Sequence, residues 1–100
     1  MTVPFRELEA ASLAAMTPEE RERFDAALEE EEARLRIAEI VYQARKDAGL
    51  TQAALAARIG TQQSVISAIE NGAQMPTIPT LRRIAHAVDR RLNIELAAAS

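Results

Sequence analysis

Gln62, Gln63, Ser64 and Ser67 stand close together at the head of a short aliphatic-periodic stretch. Short amide and hydroxyl side chains at the start of a helix are the groups that read base edges in the major groove of DNA. Glutamine can make a bidentate pair with adenine, and serine reaches several bases. Ala68, one place further on, has no polar side-chain atom, but its methyl can touch a thymine methyl. Ten residues before Gln62, Gln52 opens another periodic run, where its side chain and the local amides suit a phosphate. Arg58 and Asn71 are further phosphate candidates, with Arg82 and Arg83 more distant ones. Each of these residues, taken singly, is equally an ordinary solvated helix position. Their setting between Gly49, Gly60 and Gly72 is what makes them a motif.

Side chains placed in this way need two short helices and a tight turn. Thr51 is an N-cap for a helix over Gln52–Ile59, with Leu55, Ala56 and Ile59 inward. Gly60 makes the turn, and a second helix runs from about Gln63 to Glu70 with Val65, Ile66 and Ile69 inward. Asn71-Gly72 stops it. A preceding helix carries Ile37, Ile40/Val41, Ala44 and Ala48 at three- and four-residue steps and ends at Gly49. A following one, capped by Thr77, places Leu81, Ile84, Ala85 and Val88 on one face. The expected class is all-α: a helix-turn-helix bundle of four to five helices, with an acidic helical extension at its N-terminal side. Leu92-Asn93-Ile94-Glu95-Leu96 alternates with period two, so a short strand is expected there, paired with the same segment of a second copy.

Upstream, Thr17-Pro18-Glu19-Glu20 is a helix start with N-cap, first-turn proline and capping box. No Gly or Pro follows before Gly49. One helix or two would satisfy that stretch. The mutual repulsion of Glu29–Glu32 favours a break there. Residues 1–16 show no clean period and read as flexible or loosely helical.

Charge divides the chain. The net charge of −3 conceals a segment 1–33 with ten acids and three bases, hence −7, and a remainder 34–100 with nine bases and five acids, hence +4. Only the second part suits phosphate. The organisation expected is an acidic segment 1–33, a DNA-binding domain 34–96 and a tail 97–100. There is no cysteine, which excludes disulfides and thiolate metal sites and fits a reducing cytoplasm. No secretory leader and no apolar run of the roughly 18 residues a bilayer span needs are seen. No Ser/His/Asp set, phosphate loop or glycine-rich nucleotide motif is present, so the reading is of a non-enzyme without metal or cofactor. His86, the single histidine, has no partner for catalysis or metal binding and is expected to be exposed or capping. Glu29–Glu32 reads as a solvated face. Tyr42 lies off the apolar stripe and leaves open whether it marks a groove edge.

Residues 37–88 resemble the Cro/C1-type helix-turn-helix, the XRE family. The likeness rests on Ala48-Gly49-Leu50-Thr51-Gln52, Leu55-Ala56, Gly60, Ser64, Ile66-Ser67, Ile69-Glu70-Asn71-Gly72, Pro76, Thr80-Leu81 and Ile84-Ala85. The resemblance implies phosphate binding by Gln52 and base reading by Gln63 and Ser64. It also implies an ion pair between Arg45 and Glu70, which some members carry. The chain departs from the pattern in two places. Ala68 stands where many members carry Arg or Gln, and Ala73-Gln74-Met75-Pro76 lacks the usual basic residues. Both departures argue for weak binding by one subunit and for a homodimer on a palindromic operator.

A narrower likeness covers nearly the whole chain. The acidic Thr-Pro-Glu-Glu-Arg start, the Leu-Thr-Gln turn, Pro-Thr-Ile-Pro-Thr-Leu-Arg-Arg-Ile-Ala and the final Leu-x-Ile-x-Leu are similar to HigA-type antitoxins, partners of RelE/ParE-like toxins. That resemblance implies neutralisation of a basic toxin and repression of the shared operon, in a prokaryotic cytoplasm at the nucleoid. The acidic segment with Phe5, Leu8, Phe24 and Leu28 offers opposite charge and apolar anchors to such a toxin. A stand-alone XRE repressor is the alternative, its acidic segment then a solubilising tail. An interaction module that has lost DNA binding is a third reading.

Overall fold

The computed structural model describes residues 14–99, in which four helices follow one another: α1 (Pro18–Asp47), α2 (Gln52–Ile59), α3 (Gln63–Glu70) and α4 (Ile78–Ala87). The all-α helix-turn-helix class expected from the sequence is borne out. Among the described residues no helix is long and apolar enough to cross a membrane. The chain divides into two compact units, residues 1–32 and 33–100.

In the first unit, α1 starts through a reciprocal capping box. Glu20 N–H donates to Thr17 Oγ1 at 3.1 Å, and Thr17 N–H donates to Glu20 Oε2 at 3.4 Å. Arg21 and Asp25 face each other at i, i+4, at 3.8 Å. The break expected at Glu29–Glu32 is absent: α1 is one unbroken helix of 30 residues. Consecutive helical residues step about 100° around the axis, so of the four only Glu29 and Glu32, three apart, share a face. All four are exposed to water, which screens their repulsion.

The second unit holds the core. Val41 and Ala44 of α1 meet Leu55, Ala56 and Ile59 of α2, Ile66 and Ile69 of α3, and Ile84 with Val88 at the end of α4. Leu50, Leu81 and Val65 pack against this cluster from its edges. α2 is the central helix, packing on both α3 and α4. The inward positions match the expected 3.6-residue stripes, because each helix has one aliphatic face and buries it. Fully burying a side chain such as Leu55 or Ile66 contributes about 1.5–3 kcal/mol.

Two glycines fix the turns around α3. Gly60, at φ +71°, lets Thr61 N–H reach Ala56 O at 2.9 Å and reverses the chain between α2 and α3. Gly72, at φ +78°, ends α3, and a Cβ built there would lie 2.9 Å from Leu35 Cδ2. Gly72→Ala therefore combines left-handed backbone strain of about 1–2 kcal/mol with a forced shift of Leu35. In chemical denaturation it is expected to lose more stability than Gly60→Ala, whose Cβ meets nothing within 4 Å. Equal losses would show that Leu35 gives way freely.

Residues 90–99 form neither helix nor strand, so the strand expected at Leu92–Leu96 is not seen. A strand exists only by hydrogen bonding to a neighbour, and among the described residues none runs beside it. Ile94 and Leu96 are left exposed.

Candidate nucleic-acid interface

α3 begins without a side-chain cap. Gln62 has N-cap geometry but makes no cap hydrogen bond, so its side-chain amide stays available. Gln62, Gln63 and Ser64 are exposed, while Ser67 and Ala68 are half-buried. The structure brings Gln63 to Gln52: Gln63 Nε2 donates to Gln52 Oε1 at 3.4 Å. Gln52 Nε2 in turn donates to Glu70 Oε1 at 3.3 Å. The first side chain of α2, the first of α3 and the last of α3 are thus linked in one chain of polar contacts.

Glu70 anchors that chain on a buried arginine. Arg45 Nε donates to Glu70 Oε2 at 2.8 Å and Arg45 Nη2 to Glu70 Oε1 at 2.9 Å, the bidentate fork that suits a guanidinium. The two side chains are only 9% and 4% exposed. Arg45 Nη1 donates to Leu50 O at 2.7 Å, in the turn just before α2. The hydrogen bond to Glu70 holds the Arg45 guanidinium above its ordinary value, against the opposing effect of burial. The expected Arg45–Glu70 contact is therefore present and extends further than the sequence implied. Core, turn, Gln52 and Gln63 share one network.

The remaining candidates lie apart. Asn71 ends α3, and its Oδ1 accepts from Ala73 N–H at 2.9 Å, an Asx turn that shapes the following loop. Arg58 sits in the last turn of α2, about 9 Å of helix beyond Gln52. Its Nη1 donates to Ala87 O at 2.9 Å and thereby satisfies the end of α4. Arg82, Arg83 and His86 lie exposed along the outer face of α4 and line one shallow depression with Arg58. In the first unit, Phe24 is half-buried and Leu28 exposed, one turn apart on α1. Phe5 and Leu8 lie outside the described residues.

Sequence reasoning left Tyr42 undecided and passed over Lys46. The Tyr42 ring lies 5.4 Å from the Arg45 guanidinium carbon and 5.9 Å from Lys46 Nζ. The i, i+3 and i, i+4 spacing of the three residues was the available signal.

A family described as Helix-turn-helix matches residues 41–94. "Antitoxin HigA1" of Mycobacterium tuberculosis, from strains CDC 1551 / Oshkosh and ATCC 25618 / H37Rv, is 34% identical over 73 residues. Those residues are 73% of this chain and 49% of the relatives, so the chain spans about half the length of the curated relatives it matches.

Proposed function

The chain belongs to the helix-turn-helix family, of the XRE type, and from that premise we propose that it is a DNA-binding repressor that also serves as an antitoxin. It binds its own operator as a homodimer and neutralises a RelE/ParE-like toxin encoded beside it, in the cytoplasm of a prokaryote.

The observation that carries the DNA half is the Arg45–Glu70–Gln52–Gln63 network. A buried ion pair is a poor source of net stability, but it fixes geometry. Here it sets the position of the side chains best suited to phosphate and base. Gln52 holds the strand; Gln63 and Ser64 read bases, with Gln62, Ser67 and Ala68 beside them. Asn71 and Arg58 are the further phosphate contacts of this reading, Arg58 once its bond to Ala87 is released. The domain so used is residues 34–96, with 97–100 as a tail.

Support for the antitoxin half comes from the match to proteins named antitoxins and from the acidic segment 1–33. A ribonuclease toxin acts on a polyanion and is basic, so a segment of net charge −7 steers it. Phe24 and Leu28, with Phe5 and Leu8, supply the apolar anchors. Dimerisation falls to Leu92–Leu96, whose alternating apolar residues gain a ladder only from another copy.

Deleting residues 1–32 separates the two jobs. In cells expressing the neighbouring toxin, the full chain is expected to restore growth and the shortened chain to fail. The shortened chain should still shift operator DNA, and more tightly, since a −7 segment no longer repels phosphate. Growth restored by the shortened chain would place toxin binding on residues 33–100 instead, and failure of the full chain to restore growth would leave the stand-alone repressor.

A further inference from the structure

The reading end of α3 is uncharged. Gln62, Gln63, Ser64, Ser67 and the loop Ala73–Pro76 carry no cation. Affinity for DNA nevertheless comes largely from cations on phosphate, so a basic group is needed at the rim of this face. α1 supplies one. Leu35, two turns before Tyr42 on the same side of α1, lies against the position of Gly72 at the end of α3. Tyr42 itself covers Arg45, whose Nη1 holds Leu50 O immediately ahead of Thr51 and Gln52. This edge of α1 therefore runs past both turns that border the reading side chains.

Lys46 lies on that edge with its charge uncommitted. Its neighbour Asp47 is engaged on both oxygens, Oδ1 by Gln43 Nε2 at 2.8 Å and Oδ2 by Arg90 Nη2 at 3.2 Å. Among the described residues Lys46 has no carboxylate partner, and the Tyr42 hydroxyl makes no hydrogen bond. The ring of Tyr42 lies beside the lysine and limits where its ammonium can go. Tyr42 is 45% exposed, so the hydroxyl is open to a ligand.

We propose that Lys46 and the Tyr42 hydroxyl form a phosphate clamp on α1, gripping the DNA strand next to the phosphate held by Gln52. This rests on the DNA-binding reading above and adds two contacts that read no sequence. The tyrosine has a double task. Its ring shields the Arg45 guanidinium, while its hydroxyl donates to a phosphate oxygen. The lysine supplies the charge that the glutamine–serine surface lacks.

Full-length Lys46→Met and Tyr42→Phe test this by fluorescence anisotropy on operator and random-sequence duplexes across a salt series. Lys46→Met keeps the apolar stem and loses the charge. Its plot of log affinity against log salt should be shallower by about 0.9 for each bound copy, the share of one phosphate contact, and so by about 1.8 for a homodimer. The loss of affinity should be equal on both duplexes. Tyr42→Phe keeps the ring over Arg45, so melting should be unchanged. Binding to both duplexes should weaken with the slope retained. Wild-type slope and affinity in both variants would overturn the clamp while leaving the DNA reading intact. A loss confined to the operator would equally overturn it, because the pair would then be reading bases. Wild-type protein without any salt-dependent binding would sink the DNA reading and the clamp with it.

Discussion

Glu70→Ala is expected to lower the stability of the folded domain by about 3–5 kcal/mol, the cost of leaving a buried charge without its partner. For a domain of this size that corresponds to a fall in Tm of roughly 10–40 °C, readable by far-ultraviolet circular dichroism. Arg45 is 8% exposed and retains only Leu50 O and the Tyr42 ring once the carboxylate is gone. Gln52 loses its acceptor at the same time. Stability and operator affinity should therefore fall together. The double variant Arg45→Met, Glu70→Leu distinguishes the two consequences. It replaces both charges by apolar groups, which is often neutral or favourable for stability. Melting should return close to the wild-type value, while operator binding stays weak because nothing orients Gln52. A double variant that recovers both would show that the pair only stabilises. A Glu70→Ala protein melting within a few degrees of wild type would show that water reaches Arg45 readily. The sign of the pH dependence follows from the raised pKa of Arg45. A cation held above its ordinary value contributes fully below that value and is lost only as pH rises through the folded one. Arginine stays charged throughout the accessible range. No loss of stability is expected from this group between neutral and moderately alkaline pH.

Helix boundaries were legible wherever a local rule sets them. Thr17, Thr51 and Thr77 cap the helices the sequence assigned to them, each accepting from the backbone N–H three residues on. Gly49, Gly60 and Gly72 all have positive φ, as their helix-ending positions require. The core positions followed from the 3.6-residue period, because one face of each helix is aliphatic. Glu29–Glu32 misled because only Glu29 and Glu32 of the four share a helix face, and all four carboxylates stand in water, which screens them. Leu92–Leu96 misled because alternation records a preference, and a strand also needs a neighbour.

The site was legible in its residue types but not in its connections. Gln52, Gln63, Arg45 and Glu70 could each be marked from spacing or from likeness to a family. That they form one hydrogen-bonded chain depends on side-chain torsions and on how α1 crosses the ends of α2 and α3. Those are tertiary facts without a local signature. Arg58 shows the opposite case. A cation beside a helix-turn-helix suggests phosphate, yet the packing of α2 on α4 has given its guanidinium a carbonyl to cap. Tyr42 needed the structure for a related reason. Its sequence position says that it is off the core stripe and three residues from Arg45, and only the fold says that the guanidinium beside its ring is buried and paired with Glu70.

Gln63→Ala is expected to abolish discrimination between the operator and mismatched DNA while leaving the fold intact. A bidentate glutamine–adenine pair is worth about 1–3 kcal/mol of discrimination. Two copies on a palindrome double that, so the loss on the operator is roughly 30-fold to 20,000-fold at the tenfold-per-1.4 kcal/mol rate. Affinity for a random duplex should hardly change, since the phosphate contacts survive. Gln63 is exposed and makes a single long contact of 3.4 Å, so melting should stay within about 0.5 kcal/mol of wild type. Gln52→Ala is the necessary contrast. It removes a phosphate contact and an element of the network, so it should weaken operator and random duplex alike. Ser64→Ala should fall between them, as a hydroxyl fixes fewer bonds than an amide. Quantitative footprinting on cognate and mismatched sites at one fixed salt concentration measures all three. If Gln63→Ala separates cognate from mismatched DNA as well as wild type does, bases are read elsewhere on α3. Gln62 and Ser67 would then be the first to test, because Ala68 has only a methyl to offer.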